Sequence, residues 1–201
     1  YFVPQDLMRR WKSYQRNKAQ NWRRSPSVYN SDLVQAYRLY TLANAGDPDL
    51  GAMNRMRETS GLPPAAAWML AAAYAKAGQR EAAQQLITNL PTMVKAYREL
   101  GYTYGSDLRD KAIILDALVL LDDKKRGIDL VKDISNSLGN SGEWYSTQTL
   151  AWCLKAISAF AGANAGGPFS FSYSYKGKEE TVESDQPFFQ LALPVEEKGD
   201  A

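Results

Sequence analysis

Few residues of this 201-residue chain have side chains suited to catalysis, because it has no histidine and a single cysteine, Cys153. No Ser-His-Asp or Cys-His nucleophile can be assembled from it, and no zinc site of the usual histidine and cysteine types. Aspartate, glutamate, lysine and tyrosine chemistry remains open. Two adjacent carboxylate pairs, Asp122-Asp123 and Glu179-Glu180, suggest acid and base work, but both fall in turn-like stretches where charge is usually just solvated. Cys153 lies in "WYSTQTLAWCLKAISAF", beside the apolar face of a helix. Its one cationic neighbour, Lys155, points elsewhere on the helical wheel, so nothing there would stabilise a thiolate, and the cysteine reads as a small core residue. No catalytic, cofactor-binding or metal-ligating residue is assigned, no cofactor is implied, and the chain reads as a non-enzyme. A lone cysteine leaves the redox compartment open.

Charge narrows the partners. A net charge of +2 is too small to argue for nucleic acid or an anionic membrane over the whole surface. The one local exception is Tyr1 to Arg24, where Arg9, Arg10, Lys12, Arg16, Lys18, Arg23 and Arg24 face only Asp6, with Trp11, Tyr14 and Trp22 interleaved. Basic residues with aromatics can hold a nucleic acid. The plainer reading, adopted here, is a solvated helix whose aromatics are its packed side, with no nucleic-acid partner. No apolar run approaches the roughly 20 residues that span a bilayer. "YFVPQDLMRRWKS" places charge where a secretory signal needs an apolar core and lacks an initiator methionine, so an internal piece of a longer chain is expected.

The elements that carry these residues are helical up to about residue 163. An apolar fraction of 45% and a charged fraction of 23% are those of an ordinary folded protein. "SDLVQAYRLYTLANAG" has Ser31 and Asp32 as cap candidates and stops at Gly46; "DPDLGAMNRMRET" follows, with Pro48 tolerated in its first turn. "PPAAAWMLAAAYAKAG" closes at Gly78, and "QREAAQQLITNL" runs to the break at Pro91. "GSDLRDKAIILDALVLLDD", capped by Ser106, is apolar nearly all round, whereas "KKRGIDLVKDISNSL" has one stripe of Ile128, Val131, Ile134 and Leu138. A helix apolar all round is buried on every side and a one-striped helix faces water, so the chain alternates inner and outer helices. Inner helices ending near Gly46, Gly78, Asp122 and Gly162 are spaced by 32, 44 and 40 residues, the spacing of helical hairpins. "YAKAGQREAAQQLI", Tyr74 to Ile87, looks like a tetratricopeptide segment, but the other units lack that fixed period.

After "GANAGG" the period changes from 3.6 to 2. "PFSFSYSYKGKEETV" alternates Phe169, Phe171, Tyr173 and Tyr175 with serines and turns back at Lys176-Gly177; "PFFQLALPV" gives a further strand with Phe189, Leu191 and Leu193 on one face. The aromatic stripe reads as one side of a sheet against its core. Two or three strands alone are marginal in water, so they are expected to belong to a larger β-domain. The domains expected are 1–165, helical, and 166–201, strands of an adjoining β-sandwich-type domain.

In "WYSTQTLAWCLKAISAF", Ser146 is a good N-cap, and Tyr145 at N′ can pack on Leu150 at N4. Leu150, Ala151, Leu154, Ile157 and Phe160 give the helix a wide apolar face. This segment, with "TYGSDLRDKAIILDALVLL" and "SDLVQAYRLYTLANAGDPDLGAMNRM", resembles the later part of the thioester domain of bacterial alpha-2-macroglobulins over roughly residues 30–163. Trp144, Ser146, Thr147, Gln148, Ala151 and Trp152 match the Trp-x-Ser-Thr-Gln-x-x-Ala-Trp pattern that opens one of that family's last inner helices.

The resemblance implies a mainly α fold, an α/α toroid-like array of helical hairpins forming an incomplete ring, followed by a short antiparallel β segment. It implies a fragment of a broad-range protease inhibitor that entraps proteases after bait cleavage, in the periplasm or cell envelope and membrane-anchored through another part of the parent. Partners would be proteases, through the full-length parent, and the adjoining β-domains. The family's Cys-x-Glu-Gln thioester motif is absent, since Cys153 is followed by "LKA", so this segment would be structural. An apolar edge at its N-terminal end would be covered in part by Trp11, Tyr14 and Trp22 or by self-association. A helical-repeat, tetratricopeptide-like scaffold would instead form an open superhelix with a concave groove. An enzyme on the same toroid, such as a terpene cyclase or polysaccharide lyase, needs acidic or His/Tyr clusters at the inner-helix mouths, and the sequence shows no aspartate-rich motif or histidine to supply them.

Overall fold

The computed structural model describes residues 3–25, 28–140, 142–164, 169–175 and 177–184. In chain order the described elements are α1 (Gln5–Gln20), α2 (Ser31–Asn44), α3 (Leu50–Arg57), α4 (Pro64–Lys76), α5 (Arg80–Ile87), α6 (Asp107–Leu120), α7 (Lys124–Gly139), α8 (Thr147–Asn164), β1 (Phe169–Tyr175) and β2 (Lys178–Ser184).

Composition sorts the helices into two layers. In α4 every residue from Ala66 to Tyr74 is buried, and α6 is buried from Leu108 to Leu118 apart from Lys111. Helices covered on all sides need helical neighbours on all sides. They find them in a row in which α2 packs on α4, α4 on α6 and α6 on α8. The shorter or more polar helices lie outside: α1 on α2 and α3, α3 against α2 and α4, α5 on α4, and α7 against α6 and α8. The row bends back on itself, because Trp152 of α8 rests on Tyr37 and Tyr40 of α2 with ring centroids 6.4 and 5.8 Å apart. This is the mainly α array of inner and outer hairpins that the sequence predicts, with the short antiparallel hairpin after it.

The first three inner helices end in the same way. At Gly46 (φ 71°) the Asp47 N–H donates to Leu42 O at 2.9 Å, and at Gly78 (φ 77°) the Gln79 N–H donates to Tyr74 O at 2.9 Å. The left-handed residue after the helix lets these bonds wrap the last turn, which is why glycine stands there. After α6 the position is held by Asp122 (φ 59°), and the Asp123 N–H donates to Leu118 O at 2.9 Å. The pair Asp122-Asp123 is therefore structural: one residue closes α6, and the other caps α7, accepting from Arg126 N at 3.1 Å and Arg126 Nε at 2.7 Å.

Several local expectations shift by a residue or a turn. The N-cap of α2 is Asn30, in the left-handed region (φ 51°), so Ser31 and Asp32 lie inside the first turn. Pro48 precedes α3, whose cap is Asp49, accepting from Ala52 N at 2.8 Å. In α7 the buried positions are Gly127, Leu130 and Ile134, and Ile128 is largely exposed, because the close approach of Phe160 at Gly127 turns that face inward. In α1, Trp11 packs against the core, as does Trp22 just beyond it, but Tyr14 is exposed beneath the Lys18 ammonium.

β1 and β2 pair antiparallel, Phe169 opposite Ser184 and Tyr175 opposite Lys178, with Gly177 (φ 73°) leading into β2. Glu179 and Glu180 are both exposed on β2, and Glu180 accepts from the Tyr173 hydroxyl across the pair. Phe171 and Tyr173 are ring neighbours at 6.4 Å, yet Phe171 remains exposed. The expected third strand, with Phe189, Leu191 and Leu193, lies outside the described residues.

A Cβ at Gly127 would stand 2.7 Å from Phe160 Cε2. Gly127→Ala is expected to cost about 1–3 kcal/mol by overpacking the α7–α8 contact, measured by urea unfolding, although alanine favours helix elsewhere.

Candidate functional site at the heads of the inner helices

The first turns of the inner helices come together around two hollows. The larger is an open cleft of about 1070 Å³ between the starts of α2 and α4, the first turn of α6 and the segment joining α5 to α6. The smaller, about 110 Å³, is lined by all four inner helices: Leu33 and Tyr37 of α2, Met69 of α4, Ile113 of α6, and Gln148 and Trp152 of α8. Hydrogen bonds fix the heads relative to one another. Ser106, the cap of α6, accepts from Arg109 N at 3.1 Å and shares a 2.9 Å hydroxyl contact with Thr149 of α8. Ser146 caps α8 by accepting from Thr149 N at 3.2 Å and donates to Tyr104 O at 3.3 Å.

Between the two hollows stands a buried polar network. Arg109 donates to Asp110 Oδ1 from Nε at 3.0 Å and from Nη2 at 2.9 Å, to the Tyr97 hydroxyl at 3.0 Å and to Thr103 O at 3.2 Å. Tyr97 donates to Asp110 Oδ2 at 2.7 Å. Burial pushes the Asp110 carboxyl up, against the pull of Arg109 and Tyr97, and burial raises the Tyr97 hydroxyl as well. Glu99 then ties down the loop. It accepts from Tyr29, from Thr103 Oγ1 at 2.7 Å and from Gly105 N at 3.1 Å. Burial alone would raise the Glu99 carboxyl, but these bonds and the Arg109 charge hold it below the usual carboxylate range.

A second polar cluster lies in the core. Asp116, 4% exposed on α6, accepts from the Tyr40 hydroxyl of α2 at 2.9 Å and pairs with Lys155 of α8. The Lys155 ammonium also sits over the Tyr40 and Trp152 rings at 5.4 and 5.0 Å. One carboxylate therefore joins three inner helices.

The residues of the tryptophan-bounded motif separate by role. Ser146 is the cap, Thr147 and Gln148 are exposed in the first turn, Ala151 and Trp144 are exposed, and Trp152 packs against the two tyrosines of α2. The buried face of α8 is Thr149, Cys153 and Ala156, with Trp152, Ile157 and Phe160 beside it, so Leu150 and Leu154, expected in the core, are at 36% and 65% exposure. What steadies the entry to α8 is the Tyr145 hydroxyl, donating to Ser137 O of α7 at 3.0 Å. Cys153 is fully buried, with Leu108 O at 3.9 Å, and desolvation pushes its thiol up to about 11. Such a thiol is a packing group. The Tyr97, Glu99, Arg109 and Asp110 network was not singled out from the sequence; its one signal is charge at Arg109 and Asp110 inside an otherwise apolar helix.

Asp116→Ala leaves the Tyr40 hydroxyl and the Lys155 ammonium without their partner and is expected to cost about 3 kcal/mol in urea unfolding, against about 1 kcal/mol for Tyr40→Phe. Cys153 is expected to resist thiol reagents in the native protein at pH 8 and to react fully in denaturant. Its folded pKa lies above the unfolded value of 9.0, so the stability gained by keeping it neutral is complete below pH 9 and is lost as pH rises through about 11. Unfolding free energies measured between pH 8 and 11 should therefore fall, and the fall should shrink in Cys153→Ala.

No protein-family model and no curated protein matches the sequence. Solved structures do. Native alpha-2-macroglobulin from Escherichia coli superposes with a TM-score of 0.68 and 22% identity over 92% of this chain and 12% of its own. The same protein activated by porcine elastase gives 0.62 and 22%, over 92% of this chain and 18% of its own. The native E. coli fragment from domain MG7 to the C-terminus gives 0.65 and 22%, over 92% and 30%. The chain thus spans about an eighth of the length of the native protein that it matches and has the fold of a segment of bacterial alpha-2-macroglobulin.

Proposed function

We propose that this chain is a segment of a bacterial alpha-2-macroglobulin-like protease inhibitor, drawn from the later part of its thioester-type helical domain and the start of the β-domain that follows. The observation that carries the reading is the likeness to E. coli alpha-2-macroglobulin over 92% of the chain. The tryptophan-bounded Ser-Thr-Gln segment supports it by standing at the head of an inner helix, the place that the family pattern requires. In this reading the helical domain is 1–165 and the strands 166–201 begin the adjoining one. The segment is structural and non-enzymatic: it supports a site built elsewhere in the parent, and Cys153, packed in the core, does not take the thioester role.

The parent's partners are proteases, in keeping with the elastase-activated state of the E. coli protein, and its own β-domains. Its place is the periplasm or cell envelope, with anchoring through another part of the parent. No described helix is long and apolar enough to cross a membrane. The tetratricopeptide-like alternative calls for an open superhelix. The contact of Trp152 on α8 with Tyr37 and Tyr40 on α2 favours inner helices that curve towards closure.

The test uses the full-length parent with an elastase-type protease. Entrapment predicts that cleavage of a large protein substrate falls while hydrolysis of a small chromogenic peptide continues; unchanged cleavage of both would sink the inhibitor reading. Intact mass and free thiol before and after methylamine then decide whether the trap is covalent, an adduct with one new thiol marking a thioester outside this segment. The isolated chain is expected to leave protease activity unchanged. It is also expected to self-associate through the apolar edge at its N-terminal end, where Val34 and Tyr37 are exposed on α2, and a monomer at every concentration in sedimentation would count against that.

A further inference from the structure

The segment joining α5 to α6 has the features of a strand with an unpaired edge. Pro91, Met93, Lys95, Tyr97 and Glu99, every second residue, line the 1070 Å³ cleft, and Val94 between them packs against the helical core while also reaching the cleft. Contact at nearly every second position is the pattern of an extended backbone, which here begins beyond the bend at Thr92. Its second half is paired: the Glu99 N–H donates to Gly105 O at 2.8 Å and the Asp107 N–H to Tyr97 O at 3.1 Å. Its first half is not. Among the described residues, the backbone groups of Thr92, Met93, Val94, Lys95 and Ala96 make no hydrogen bond to protein. Backbone groups left open along a strand are what an incoming strand binds.

The cleft holds a second unmet demand. Asp32, 7% exposed, lines it; one carboxylate oxygen meets Arg24 Nη2 at 2.9 Å, and the other, Oδ1, is the one buried side-chain oxygen or nitrogen among the described residues with no hydrogen-bond partner. A buried carboxylate oxygen without a donor is costly, and a cationic donor is the group that satisfies it best. Leu33, Pro64 and Ile114 provide apolar wall beside it, suited to the methylene stem of a long basic side chain. Lys95, exposed on the rim, opposes a second cation.

We propose that this cleft binds an extended peptide segment bearing one lysine or arginine. The peptide pairs as a strand along Met93 to Ala96 and places its basic side chain against Asp32. The backbone pairing supplies affinity and Asp32 supplies selection. This site stands on the geometry of the cleft and does not depend on the protease-inhibitor reading.

The test is fluorescence anisotropy with the full chain and a labelled heptapeptide of alternating threonine and valine with one central lysine. Two control peptides carry norleucine for lysine, or N-methyl groups on alternate backbone nitrogens. Saturable binding is expected, weakened roughly ten-fold or more by norleucine or by Asp32→Asn, and abolished by N-methylation. Circular dichroism checks that Asp32→Asn folds. Should it not fold, slowed exchange at alternate amides between Met93 and Ala96 in the wild-type chain, with the lysine peptide and not the N-methylated one, serves in its place. No saturable binding, or binding indifferent to both peptide changes, overturns the proposal.

Discussion

A helix buried on every side cannot leave a charge unmatched, and α6 carries three such charges in its covered stretch: Arg109, Asp110 and Asp116. Each must be satisfied by a neighbour at a fixed depth along the helix. Arg109 and Asp110 answer one another and draw Tyr97 and Thr103 into the arrangement, which sets the path of the chain entering α6. Asp116, two turns further on, reaches Tyr40 on one side and Lys155 on the other, which sets the positions of α2 and α8 along α6. Apolar packing alone would tolerate sliding of one helix past another. The buried polar groups remove that freedom, because a slip of even one turn would strand a charge in the core.

The same requirement explains why the heads of the inner helices are the chemically varied end of the fold. The first turn of any helix presents backbone N–H groups without partners, and here several such turns meet around common hollows. Caps at Ser106 and Ser146 answer some of them, and the hydroxyl contact between Ser106 and Thr149 links the answers of two helices. The long connection before α6 is held to this end by Glu99, whose carboxylate gathers three donors, Tyr29 from before α2 and Thr103 and Gly105 from the loop itself. Its exposed tip, with Leu100 and Tyr102 outward and Tyr102 against Tyr29, stands on that buried support.

The parts of this arrangement legible in the sequence are those governed by local periodicity. The all-apolar run after Lys111 gives an inner helix, the glycines at 46 and 78 give two helix ends, and alternation from Phe169 gives a hairpin, because each follows from backbone geometry within one element. Rotation about a helix axis is less legible. Leu150 and Leu154 are as apolar as any core residue, yet α8 turns Thr149, Cys153 and Ala156 inward, since small residues let it approach α6 closely. Asp116 and Lys155, 39 residues apart in sequence, read as ordinary surface charges until folding joins them. Glu99 and Tyr29 meet across 70 residues, in stretches outside any helix or named strand.

The uneven exposure of apolar residues follows from position in the row. Helices α4 and α6 have inner neighbours on both sides and outer helices behind them, and every large apolar residue they own is covered or nearly so. The helices at the two ends of the row have such a neighbour on one side only. On α2, Val34 and Tyr37 are 42% and 49% exposed, and on α8 the exposed pair is Leu150 and Leu154, although Trp152 between them reaches across to α2. Apolar side chains at helical spacing on both ends of a curved row are surfaces shaped for helix packing that this stretch of chain leaves open. An open repeat array would show one such face at each end, far apart. Here the aromatic contact brings the two ends within reach of one another, and Val34 and Tyr37 of α2 share one hollow with Gln148 and Trp152 of α8.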